Sequence, residues 1–247
     1  VYPRFTRLIN TTGQEWKINE AYAAVRGSDV RNRQIISDVE ECLRQGRTPL
    51  VLTKFRDQAD ILLAMLRDKA DHVFLLKGGR SRKENEQIRE NMKNVPANES
   101  MVLVAIGQYI GEGFNYPRLD TMMLTTPIAW QGNVEQYSGR LHRDYEGKRK
   151  VIIYDYVDAH IRVLDKMYYK RLRAYKKIGY EIVMNEAEKK QETNAIFDSE
   201  SYTSVFERDV SQADTEIVIS SPGIGAKGVH RILKTLEERH DSGVKIT

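Results

Sequence analysis

The stretch Gln136-Tyr137-Ser138-Gly139-Arg140-Leu141-His142-Arg143 sets two arginines three positions apart, beside a glycine. At a helix end, that spacing presents two guanidinium forks in one direction. A phosphoryl-transfer site needs such forks, because charge on the transferring group must be met by a rigid, permanently ionised donor. Gly139 allows close backbone approach. An isolated Gly-Arg pair is more often a solvated helix end, but this one follows a second suggestive stretch. Val102-Leu103-Val104-Ala105-Ile106-Gly107 is an apolar run leading to Gly111-Glu112-Gly113-Phe114-Asn115. Glycines at such a strand end let backbone amides approach phosphate or ribose without an intervening side chain. Gly-x-Gly alone is commonly a tight turn; combined with the arginines downstream, it points to phosphate chemistry.

Loops of this kind need a rigid scaffold. The apolar runs Pro49–Thr53, His72–Leu76, Met101–Ile106, Thr121–Thr125 and Val151–Tyr156 read as buried strands. Between them lie helical patterns. One runs over Asp29–Gln45, with Ile35, Ile36, Val39 and Leu43 on one face and Gly46 as its stop. A second is capped by Asp57 and carries Ile61, Leu62, Met65 and Leu66. A third opens with a capping box of Ser81 and Glu84, and a fourth covers Val134–Leu141. Strands that are apolar on both faces and alternate with helices predict an α/β fold, a parallel sheet with helices on both faces. Working loops then sit at the strand carboxyl ends, after Thr53, Leu76, Ile106 and Thr125.

A hydrophobic share of 40% and a charged share of 30% describe a folded chain and exclude a disordered one. The net charge of +4 does not by itself argue for a nucleic-acid partner, but its distribution is uneven. His160–Tyr180 holds seven Lys/Arg against one acid, whereas Glu181–Glu216 holds ten acids against three bases, which marks a boundary between units. Residues 1–28 lack sustained periodicity and read as a connector. A basic helix and linker occupy 159–196, and a second, incomplete α/β unit spans 197–247. The basic helix carries Lys166, Lys170, Arg171, Arg173, Lys176 and Lys177 among Tyr168, Tyr169 and Tyr175. It suits a phosphate backbone with stacked bases, and equally a linker helix packed on its neighbour through its tyrosines. The single cysteine, Cys42, excludes intramolecular disulfides and cysteine-rich zinc sites, and its place among Ile35, Ile36, Val39 and Leu43 predicts a buried thiol. Asp38-Val39-Glu40-Glu41 reads as a solvated helix face, so no metal site is expected. No apolar run approaches the ~20 residues of a membrane span and no signal peptide opens the chain, so no membrane contact and a cytoplasmic location are expected. The first residue, Val1, and the strand-like end at Lys245-Ile246-Thr247 suggest a piece of something longer.

Gln136-x-x-Gly139-Arg140-x-x-Arg143 resembles the sixth signature motif of superfamily-2 helicases, and the stretch from Val102 to Asn115 is similar to their fifth. Pro49–Thr53 with Lys54 and Arg56 looks like the fourth, and Lys77-Gly78-Gly79 like the following backbone-contact loop. Val151–Asp158 resembles the closing strand of DEAD/DEAH-type or type III restriction helicase subunits. The resemblance covers about Arg31 to Tyr180 and implies a RecA-like C-terminal motor domain over 29–158. It implies that Gln136, Arg140 and Arg143 serve catalysis on ATP with Mg, held mainly by an N-terminal RecA-like domain that this chain lacks. Gly111, Gly113 and Asn115 would line the nucleotide. Thr53, Lys54, Arg56, Gly78, Gly79 and the Ala105, Ile106, Gly107 turn would touch nucleic acid, DNA rather than RNA, with Lys170, Arg171 and Arg173 adding to that contact. Glu216–Pro222 and Gly243–Thr247 resemble the start of a phospholipase-D-like domain; its His-x-Lys signature is absent, so no catalysis is assigned there.

Two positions depart from the family pattern. Ile106 replaces the usual Thr, removing a hydroxyl donor, and Asn115 replaces the usual Asp, removing a charge. The chain also contains no Gly-x-x-x-x-Gly-Lys-Ser/Thr loop and no Asp-Glu-x-Asp/His motif, so no ATP hydrolysis by this fragment alone is expected. The leading expectation is therefore half of an ATP-dependent helicase or translocase. The alternative is a degenerate motor domain acting as a non-catalytic nucleic-acid-binding module. A flavodoxin-type domain acting on a small molecule would leave the paired arginines unexplained.

Overall fold

Strands with no polar face must be covered on both sides. Pro49–Thr53 (β2), Met101–Ile106 (β4) and Thr121–Leu124 (β5) are buried at every position. In the computed structural model these three form the centre of a sheet completed by Tyr2–Phe5 (β1), His72–Leu76 (β3) and Ile152–Val157 (β6). The structure describes residues 1–10, 14–79, 81–110, 114–128, 137, 139, 141–184, 210–211, 213–218 and 226–247. The order is β1-β6-β5-β2-β4-β3, and every pairing is parallel.

Alternation along the strands divides the core in two. Leu50, Leu52, Leu103, Ala105, Met122 and Leu124 share one side with Met92 of Arg82–Lys93 (α4) and with Ala174 and Tyr175 of Arg162–Ile178 (α5). Val51, Val102, Val104, Ile106 and Met123 pack on the other side. They meet Ile35, Val39 and Cys42 of Asp29–Arg44 (α2) and Ala59, Leu62 and Leu66 of Arg56–Leu66 (α3). The expected α/β architecture is present, with helices on both faces.

The connector expected over residues 1–28 contains two regular elements. β1 pairs in register with β6, from Tyr2 opposite Tyr154 to Phe5 opposite Val157. Pro3 is tolerated because β1 is an edge strand, where a ladder donor is dispensable. Four residues are too few to display a period. Ile18–Gly27 (α1) then buries Ala21, Tyr22 and Val25 against Ile161, Leu164 and Met167.

Local signals at helix starts fared unevenly. Ser81 and Glu84 form the capping box, with Glu84 N donating to Ser81 Oγ at 3.2 Å and Ser81 N to Glu84 Oε2 at 2.6 Å. Asp57, expected as a cap, instead lies inside α3. Phe55 occupies the cap position, and its N–H donates to Thr53 Oγ1 at 3.1 Å. Of the helix expected over Val134–Leu141, the described residues Tyr137, Gly139 and Leu141 are helical.

Buried ion pairs join the elements. Arg31 pairs with Asp158 at 2.9 Å, both side chains fully buried, and Thr6 Oγ1 donates to the same carboxylate at 2.5 Å. Arg4 chelates Asp38 at 3.0 and 2.8 Å while the Tyr156 hydroxyl donates to Asp38 at 2.9 Å. Asp38 therefore faces inward, not into solvent as the acidic run suggested, because β1 and β6 supply its partners.

Cys42 is buried as its helical position predicts, and burial pushes its thiol up to about 11. Its thiolate fraction at pH 8 is therefore small. A thiol-labelling reagent at that pH is expected to leave the native chain almost unlabelled and to modify Cys42 rapidly after denaturation. Equal rates in both states would place the thiol at the surface.

Contacts separate Val1–Ile196 from Phe197–Thr247. Within the second unit, Glu216–Ile217 (β7) pairs in parallel with Lys245–Ile246 (β8), and Ala226–Asp241 (α6) precedes β8. Among the described residues, no helix is long and apolar enough to cross a membrane.

Candidate functional site

The carboxyl ends of β2, β4 and β5 lie side by side, so the turns after Thr53, Ile106 and Leu124 meet. Thr53 ends β2 with its hydroxyl turned inward, 2.7 Å from Gln58 Oε1 and 3.0 Å from Thr126 Oγ1. Thr126 Oγ1 also accepts from Lys54 N at 3.1 Å. Thr53 is only 2% exposed, so in the free chain its hydroxyl fixes the turn and presents the Lys54 side chain. That side chain lies over the Tyr22 ring, its Nζ 5.0 Å from the centroid, within cation–π range.

These turns floor a cleft of about 580 Å³, walled by Tyr22, Lys54, Gly107 and Tyr137 and by apolar side chains that include Val163 and Met167 of α5. Gly107 leaves room for a close approach, since a Cβ there would run into the Tyr137 hydroxyl and one of the two would have to shift. The contact seats Tyr137 on the turn after β4. Gly78 is similarly enclosed: a Cβ would meet the Tyr109 hydroxyl and, at 2.7 Å, the Arg56 guanidinium. Gly79 has φ +88°, a conformation that glycine alone adopts readily. Thus Lys54, Arg56, Gly78, Gly79 and Gly107 are gathered at the strand ends, as their positions predict. Ala105 and Ile106 place their side chains in the core on opposite faces, and Ile106 also lines the cleft.

Arg143 is exposed, and its carbonyl accepts from Lys148 Nζ at 2.8 Å. Beside it His142 Nε2 lies 2.6 Å from the Tyr180 hydroxyl; burial, then the charge of Lys148, holds this imidazole below its ordinary pKa. Asn115 is exposed in a separate depression beside α4, with Arg89 and Glu90. Gln136, Arg140, Gly111 and Gly113 lie outside the described residues.

The basic helix requires a correction. Arg171, expected at a nucleic-acid surface, is 1% exposed. Its Nε and Nη2 donate to Asp155 at 2.8 and 2.9 Å, and Nη1 donates to Ile128 O at 3.0 Å. Burial works against the guanidinium charge, but Asp155 outweighs it and holds the pKa above its ordinary value. Lys170 and Arg173, its neighbours in sequence, are exposed. Sequence reasoning missed Tyr22, Gln58 and Thr126. The paired Thr125-Thr126 after β5 was an available signal; Tyr22 was hidden in a segment read as irregular.

The description "Helicase conserved C-terminal domain" matches residues 33–145. The chain is 26% identical over 140 residues to transcript termination protein A18 of fowlpox virus (strain NVSL), covering 56% of the chain and 29% of that protein. It is 32% identical over 85 residues to uncharacterized protein 108L of invertebrate iridescent virus 3, covering 34% of the chain and 77% of that protein. In structure it is similar to T4 UvsW, with TM-score 0.58 and 16% identity, covering 74% of the chain and 40% of UvsW. Dbp5 L327V of S. cerevisiae, bound to RNA and ADP BeF3, gives TM-score 0.50 and 13% identity, with coverage of 74% and 40%. At these identities the structural matches establish a shared fold. The chain spans under half the length of A18, UvsW and Dbp5.

Proposed function

We infer, from the match of residues 33–145 to the helicase conserved C-terminal domain, that the chain is the second motor domain of an ATP-dependent nucleic-acid helicase or translocase working in the cytoplasm. The observation that supports this reading is the close approach of Tyr137, from the stretch that carries Arg140 and Arg143 in sequence, to Gly107 in the turn after β4. Lys54, Arg56, Gly78, Gly79 and Gly107 would hold a strand's backbone, DNA on the restriction-subunit resemblance. Arg140 and Arg143 would reach a phosphoryl group presented by a preceding motor domain.

ATP with Mg, when bound, supplies that phosphoryl group and the leaving diphosphate. This chain's fit to it rests on Arg143, whose exposed guanidinium suits phosphate oxygens, and Asn115 would line the nucleotide. Magnesium is assigned, on the family resemblance, mainly to the other domain. Closing and opening of the cleft between domains would move the backbone contacts along the strand. The unit after Phe197 is read as the start of a phospholipase-D-like domain, without catalysis here.

A second reading, a non-catalytic binding module, is favoured by Ile106, whose side chain packs into the core where the family carries a hydroxyl. Expressed alone, the chain is expected to bind an oligonucleotide weakly, with affinity falling steeply as salt rises, and to hydrolyse no ATP above background. Robust hydrolysis by the chain alone, abolished by Arg140→Ala, would overturn the two-domain assignment. Joined to a first motor domain, the chain is expected to complete nucleic-acid-stimulated hydrolysis; binding without any hydrolysis would select the module.

A further inference from the structure

The basic helix α5 is divided by the fold into two faces of different chemistry. Leu164, Met167, Tyr168, Arg171, Ala174 and Tyr175 are buried, with the Arg171–Asp155 pair locking the helix to β6. On the opposite face Arg162, Lys166, Lys170, Arg173 and Lys177 are all exposed and recur at helical spacing. From Arg162 to Lys177 the row is about 22 Å long, at ~1.5 Å per residue. Asp165, the sole acid of the helix, is 3% exposed and cannot interleave with the row. Arg162 faces Glu15 at 3.7 Å, with both side chains substantially exposed, so water screens that pair.

Such a row brings cations side by side along the helix. Like charges three or four residues apart repel, whereas a solvated helix face normally mixes signs and gains from the pairing. A polyanion laid along the row would reverse the sign of each interaction. The row also begins where the strand-end cleft ends, because Val163 and Met167 of the same turns line that cleft together with Lys54 and Gly107.

We propose that the solvent face of α5 is a second phosphate-backbone contact, along which a nucleic-acid strand leaving the cleft continues over Lys166, Lys170, Arg173 and Lys177. At ~3.4 Å per phosphate along one strand of a duplex, the row covers about six phosphates. Its contacts are to backbone charge and carry no base preference. The proposal rests on the reading of the chain as a nucleic-acid motor domain.

The test compares the whole chain with its Lys170→Gln/Arg173→Gln/Lys177→Gln variant, by fluorescence anisotropy on labelled oligo-dT and on a DNA duplex across a salt series. Arg44→Gln/Lys93→Gln, which removes two exposed charges from α2 and α4, serves as the control. For oligo-dT, the slope of log K against log salt is expected to become shallower by about 2, from ~0.7 per lost contact. Between about 50 and 200 mM salt the variant should then lose ~16-fold less affinity than the wild type. The control should keep the wild-type slope. A variant that melts like the wild type and keeps its slope on both probes would overturn the proposal and make the row a solvated face. Absence of salt-dependent binding by the wild type would instead overturn the motor reading beneath it.

Discussion

If the chain is half of the proposed two-domain motor, Arg143→Ala in that motor is expected to lower ATP turnover by about 10³-fold or more, within the range spanned by arginine fingers in phosphoryl-transfer enzymes. The residue is proposed to meet charge that develops on the transferred group, so its benefit belongs to the transition state more than to nucleotide binding. Arg143→Lys should rescue little, since a point charge on a flexible stem does not reproduce a planar fork. Stability should survive the change. The Arg143 side chain is exposed, and the backbone carbonyl that receives Lys148 Nζ is unaltered by substitution. Steady-state turnover, nucleotide affinity and thermal melting together decide the matter. If Arg143→Ala unfolds the domain while Arg143→Lys restores full turnover, the residue is structural and the arginine motif serves the fold.

The second large effect is on stability. Arg171→Ala is expected to destabilise the first unit by about 3–5 kcal/mol, because it strands the fully buried Asp155 carboxylate without its partner. In a unit of this size that corresponds to a Tm lower by roughly 6–20 °C. Asp155→Asn in the same background should recover part of the loss by removing the unpaired charge. Arg173→Ala, two positions away and exposed, should change stability by no more than about 0.5 kcal/mol. Denaturant or thermal melts of these variants separate the two arginines. Equal, small effects would mean that Arg171 is not the clamp described above.

The contrast between Arg171 and Arg173 also shows where local pattern stops being informative. Arg171 lies seven residues after Leu164 and four before Tyr175, so its helical phase already pointed inward. Residue type argued the other way, since an arginine is rarely buried without a paired charge. The decision lay with Asp155, on a strand whose alternation places it beneath α5 only once the sheet is assembled. Thr53 is similar: its place at a strand end was readable, but the engagement of its hydroxyl with Gln58 and Thr126 depends on β2 and β5 being neighbours.

What the sequence by itself determined follows from short-range physics. Runs without a polar face at β2, β4 and β5 demanded a sheet covered on both sides. The capping box at Ser81 and the burial of Cys42 were equally local. Only the tertiary structure decided that residues 2–5 extend the sheet, that Asp38 and Arg171 turn inward, and that Tyr137 rests on Gly107. Each of these depends on a partner far along the chain. A four-residue edge strand, a buried charge and a glycine contact have no period of their own; they become favourable only when folding brings β6, Asp155 or Tyr137 to them.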